Sequence, residues 1–63
     1  MNPLYRDLAT KHLTDKQRTV LRHKINGHSF RQIAVHMNIH EATVRGHYDA
    51  ARRRMRKAIQ EAA

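Results

Sequence analysis

The chain is 63 residues long, carries thirteen Lys and Arg against five Asp and Glu for a net charge of +8, and has no cysteine. That length holds one domain with one small core, near the lower size for folding without staples, and the lack of cysteine excludes a disulfide framework and a thiolate zinc site. No apolar run approaches the roughly 20 residues of a membrane span, and the opening MNPLYRDL has charge early and no apolar signal segment, so cytoplasmic residence is expected.

Hydrophobic periodicity predicts an all-α chain, a small helix-turn-helix bundle of three main helices plus a short N-terminal one, over roughly 3–9, 15–25, 30–37 and 41–60. Asn2-Pro3 reads as a helix start, because proline's missing N–H costs nothing in a first turn. Leu4, Tyr5 and Leu8 form a short apolar patch, a lid over the core, and Thr10-Lys11-His12 reads as a polar connection. Thr14 is an N-cap with Gln17 as its capping-box partner, Leu13 staples to the first turn, and Asp15 suits the positive end of the helix dipole. Val20, Leu21 and Ile25 face the core, Lys16, Arg18, Arg22 and Lys24 ring the outside, and Asn26-Gly27 ends the helix with a positive φ at Gly27.

Ser29 caps the next helix, in which Phe30, Ile33, Ala34 and Met37 recur at i, i+3, i+4 and i+7. Asn38 tolerates the left-handed backbone that stops it, Ile39 anchors the turn, and His40-Glu41-Ala42-Thr43-Val44 opens the last helix. Behind Val44 the core stripe continues through Tyr48, Ala51, Met55 and Ile59, while the opposite face runs from Thr43, Arg45, Gly46, His47 and Asp49 into Arg52, Arg53, Arg54, Arg56 and Lys57. Ala62-Ala63 is expected to fray. A short helix, a tight turn with one apolar anchor and a second helix make a helix-turn-helix. A helix of a plain bundle mixes its signs on the solvent face, and this one is basic through its second half.

A domain this small and basic seeks a polyanion. A membrane surface would attract it too, but an interfacial helix needs Trp, Phe or Leu on its apolar face, and there is one Phe and no Trp. Single strands are bound on aromatic platforms, for which two Tyr and one Phe are too few. Duplex DNA is the favoured partner. In a helix-turn-helix the second helix enters the major groove N-terminus first while the preceding helix crosses the backbone. The predicted reading helix spans 41–54, with Glu41, Ala42, Thr43, Arg45, Gly46, His47 and Asp49 as base-reading candidates. Arg45 suits the two acceptors of guanine, and Glu41 the cytosine amino group. Gly46 has two readings, close approach to DNA or mere tolerance. Ser29, Arg31 and Gln32 sit where free N–H groups favour a phosphate, and Arg52, Arg53, Arg56 and Lys57 either touch flanking phosphates or only solubilise an exposed face.

The pattern Leu13-Thr14, Gln17-Arg18, Val20-Leu21, Gly27, Ser29, Ile33-Ala34, Ile39, Thr43-Val44-Arg45 closely resembles two related families. One is the region of bacterial sigma factors that reads the upstream promoter element; the other is the LuxR-type regulator DNA-binding domain. The tail Ala51-Arg52-Arg53-Arg54-Met55-Arg56 resembles the sigma version more, and the Thr43-to-His47 spacing resembles the LuxR version equally. Asn38 replaces the usual small turn residue, and His40 replaces the usual Ser, a weaker cap. The resemblance implies promoter DNA and RNA polymerase as partners. A full sigma factor needs a further domain that 63 residues cannot hold, and Met1 favours a stand-alone regulator over an excised fragment.

Other chemistries fit poorly. His36 and His40 are four apart, but Asn38 breaks the helix between them, and in His40-Glu41 the second histidine of a zinc-protease motif would fall on Val44. No metal site and no cofactor are expected, and the histidines are read as surface groups that the positive field favours in their neutral form. Without an acidic pair or a Gly-rich phosphate loop, an enzyme is not expected either. The reading is therefore a sequence-specific duplex DNA-binding regulator of transcription. Its rivals are a sigma-like accessory protein that docks on RNA polymerase and a DNA-targeting subunit of a phage packaging or recombination complex. Met55, Ile59 and Ala62 leave an apolar edge on the last helix through which a homodimer would pair.

Overall fold

The computed structural model describes residues 3–62, as four helices: α1 (Pro3–His12), α2 (Asp15–Ile25), α3 (Phe30–Met37) and α4 (Glu41–Ala62). Among the described residues there is no strand. The expected Asn2 start and Ala63 lie outside the described residues, and Ala62 is still helical.

Thr10, Lys11 and His12 continue α1 instead of forming the predicted connection. The physical reason is remote. A helix ends with orphan carbonyls, and here Arg18 of α2 donates to the Thr10 carbonyl at 3.0 Å and the Leu13 carbonyl at 3.1 Å, while Arg54 of α4 donates to the His12 carbonyl at 3.4 Å. Arg18 also pairs with Asp15. Arg18 is thus a strut between α1 and α2, where the sequence had placed it on the solvent ring.

The two central helices start as their sequences require. Thr14 and Gln17 form the predicted capping box, with Gln17 N–H on the Thr14 hydroxyl at 3.2 Å and Thr14 N–H on the Gln17 amide oxygen at 3.1 Å. Ser29 caps α3 the same way, through a second box with Gln32. Such caps contribute about 0.5–2 kcal/mol each. At the other ends, Gly27 has φ +92° and Asn38 has φ 56° and ψ 47°, both in the left-handed region. The end of α2 closes with His28 N–H on the His23 carbonyl and Gly27 N–H on the Lys24 carbonyl, each 3.0 Å. This doubly bonded closure is the Schellman pattern, and it folds residue 28 back over residue 23.

All three earlier helices pack on α4. One core cluster joins Leu13, Leu21, Ala51 and Met55, with Tyr5, Leu8 and Ala9 of α1 laid over it. That is the predicted lid, although Leu4 is exposed. The Tyr5 hydroxyl is held above its ordinary pKa, first by burial and then by Tyr48. The second cluster joins Val20, Ile33, Ala34 and Val44, edged by Phe30, Met37 and Ile39; Tyr48 touches both clusters.

Two predicted core residues are corrected. Ile25 is 50% exposed because it ends α2 at an open groove beside Tyr5 and Ala9. Ile59 is 45% exposed, and Ala58 is buried in its place. Near the end of α4, His12 of α1 lies beside Arg54, Ala58 and Glu61. Met55 is also 3% exposed, so the predicted pairing edge shrinks to Ile59 and Ala62.

Candidate nucleic-acid interface

The turn between α3 and α4 is Asn38-Ile39-His40, and α4 begins with Val44 N–H on the His40 carbonyl at 3.1 Å, so His40 holds the cap position despite its weak side chain. Val44 is fully buried against Ile33, which turns the far side of α4 outward. By helical spacing Ala42, Gly46, Asp49 and Arg53 form the stripe opposite the core, and all four are exposed. Its first half is nearly bare of bulk. A Cβ built on Gly46 meets nothing within 4 Å, so no packing inside the protein requires glycine there.

Glu41 and Arg45 flank the stripe on one side and Thr43 and His47 on the other; all are exposed except His47, which is half-buried at the border. The Arg45 guanidinium has two holds. It lies 4.7 Å from the centre of the Phe30 ring, and it makes a loose pair with Glu41 at 3.9 Å. Both groups are well solvated, so the ion pair itself contributes little. Phe30 in turn meets Tyr48 edge-on at 5.3 Å, and the Lys24 ammonium sits 4.3 Å from the same ring. Phe30 and Lys24 are the members that sequence reasoning missed. Phe30 had been assigned only to the core stripe, and nothing local shows that Lys24 of α2 reaches the same ring as Arg45.

At the start of α3, Ser29, Arg31 and Gln32 are exposed. Ser29 N–H donates to the Gln32 amide oxygen at 2.8 Å, and Gln32 N–H to the Ser29 hydroxyl at 3.1 Å. The box leaves the Phe30 and Arg31 N–H groups, the Arg31 guanidinium and the Gln32 side-chain NH2 for an anion. The arginine run divides. Arg54 turns to α1, Arg52 lies 5.6 Å over the Tyr48 ring, and Arg53 stands on the outer stripe. Arg56 and Lys57 are exposed further on. With 1.5 Å per residue, Arg56 is roughly 16 Å along the axis from Arg45, outside the cluster around Phe30.

Beside Gln32, the His23 ring meets His28 and His36, with centroids 5.3 Å and 4.8 Å apart. The His23 pKa is lowered, first by desolvation and then by His36, His28 and Arg22. The main cause is thus local burial, with the one arginine among the causes coming last.

Fold and surface together define a helix-turn-helix protein. A match to the family described as "Sigma-70, region 4" covers residues 7–55, and the chain belongs to that family, the DNA-binding helix-turn-helix domain of sigma factors. The match falls on the sigma side of the two resemblances. No curated protein and no solved structure matches the chain. The family gives the chain a DNA-binding, transcription-related function; its domains bind DNA and RNA polymerase and are not enzymes. Among the described residues no helix is long and apolar enough to cross a membrane.

Proposed function

We propose that the chain binds duplex DNA sequence-specifically and regulates transcription, with residues 41–54 of α4 in the major groove. The observation that carries this reading is the low outer stripe of Ala42 and Gly46, flanked by the exposed Arg45, Glu41 and Thr43. A helix without bulk on its leading face can bring its backbone close to base edges, while the flanking side chains reach them. Arg45 reads a guanine, Glu41 a cytosine amino group, and Thr43, His47 and Asp49 complete the surface. Ser29, Arg31 and Gln32 hold one phosphate strand, and Arg52, Arg53 and Arg56 reach flanking phosphates.

Duplex binding measured against salt tests the charge side of this. With about five phosphate contacts the log–log slope is about −4 to −5, and a flat response would remove DNA as the main partner. Selection from a random duplex pool tests the reading side, and a pool without a consensus would sink sequence specificity. The second reading, docking on RNA polymerase, is favoured by the exposed Arg53, Arg56 and Lys57, which extend beyond the reading stretch. A gel shift with and without polymerase separates the two.

A further inference from the structure

The histidines that the DNA reading leaves aside converge. The Schellman closure of α2 normally brings an apolar side chain two residues past the cap against one near the helix end. Here those positions are His28 and His23, and their Nδ1 atoms stand 3.3 Å apart. Two nitrogens bound to one tetrahedral zinc at about 2.0–2.1 Å are themselves roughly 3.3–3.4 Å apart. The backbone closure, with His28 N–H on the His23 carbonyl at 3.0 Å, brings the two residues together, and their Nδ1 separation is close to the edge length of a metal tetrahedron.

We propose that His23 and His28 form a two-nitrogen clamp for a divalent transition-metal ion of borderline softness, such as Zn2+, for which imidazole is a suitable ligand. Among the described residues no three histidine, cysteine or acidic side chains stand ready to hold an ion together, so two protein nitrogens bind it. The other positions open to water and to the His36 ring, 4.8 Å from His23. In the metal-free chain one ring donates its Nδ1 proton to the other. On binding, that ring carries its proton on Nε2 instead, both Nδ1 lone pairs turn to the ion, and no net proton is released. The ion then fastens the end of α2 to the residue before the Ser29 cap, bracing the loop that sets the first turn of α3.

The test uses the full chain without DNA, in a non-chelating buffer, with Zn2+ alone as probe. Calorimetric titration should show one Zn2+ per chain, and saturating metal should raise Tm by roughly 5 °C, because the ion binds the folded clamp better than the unfolded chain. H23Q and H28Q should each lose at least tenfold in affinity, whereas H12Q, on the far end of α1, should keep it. Far-UV circular dichroism of the metal-free variants establishes that they fold. If one does not, the imidazole NMR resonances of the wild-type chain still decide: Zn2+ must shift those of His23 and His28 and leave His12 in place. An unmoved Tm with no binding heat, undiminished affinity in folded H23Q and H28Q, or resonance shifts centred on other histidines would each overturn the clamp.

Discussion

The two halves of α4 share one backbone and differ in nearly everything they carry. Through Ala51 the helix buries Val44 and Ala51 completely, and its outer stripe offers Ala42 and Gly46. Beyond Ala51 it still buries Met55 and Ala58, but Ile59 is half out, and Arg53, Arg56 and Lys57 fill the solvent side. The difference teaches that a close fit on one face of a helix permits a bare opposite face. Where packing holds the helix, the surface can be cleared for contact, and where packing thins, charge can act at longer reach.

The largest effect that would break this contrast lies in the core. Val44→Ala or Ile33→Ala should cost roughly 1–4 kcal/mol, while Ile59→Ala should cost about 0.5 kcal/mol, as surface changes do. In a domain of this size each kcal/mol moves Tm by about 4–8 °C. Equal melting of the three variants would erase the distinction between the halves.

Next comes specificity. Arg45→Ala should cost about 1–3 kcal/mol on the preferred site and relax one base pair. Arg56→Ala and Arg31→Ala should weaken all sequences alike and lower the salt slope by about one. Competition binding with single-base variants of the selected site checks both. If Arg45→Ala leaves every base preference intact, the first half of α4 does not read through that residue.

Gly46→Ala sharpens the comparison through opposite signs. Alanine should stabilise the fold by up to about 1 kcal/mol, since glycine weakens a helix interior and the new Cβ meets nothing within 4 Å. The same methyl should weaken DNA binding if the helix backbone closes on the groove. A more stable variant with undiminished binding would mean that glycine is merely tolerated there. The smallest effect concerns Phe30→Leu, which keeps an apolar contact and removes the ring under Arg45. It should cost about 0.5–1 kcal/mol of cation–π contact, seen as weaker discrimination at the Arg45 base pair. Equal loss at every position would show that Phe30 serves packing alone.

What the sequence disclosed was mostly local. Thr14 with Gln17, Gly27 and Asn38 each express a few consecutive backbone groups, and the structure has them as expected. The Ser29–Gln32 box has the same spacing and was equally readable, but Gln32 was assigned to phosphate instead. Features supplied from a distance stayed hidden. α1 reaches His12 because Arg18 and Arg54 arrive from other helices. Ile25 and Ile59 obey helical spacing, and spacing does not reveal where a neighbouring helix stops. The site was similarly divided: the outward residues of α4 followed from periodicity, whereas the meeting of Lys24, Phe30 and Arg45 required three helices to be in place. The His23–His28 pair was hidden in a loop closure, while attention went to His36 and His40, which share a helical spacing but no helix.

That every earlier helix packs on α4 has a consequence for how the chain is made. A ribosome delivers α1, α2 and α3 before the surface that covers them. Until residues 41–58 emerge, Leu13, Leu21 and the α1 lid lack Ala51 and Met55, and Val20 and Ile33 lack Val44. The nascent chain therefore completes its core late, when α4 arrives to close both clusters. A translation product that stops before Val44 leaves both clusters open, without the core against which α4 is held.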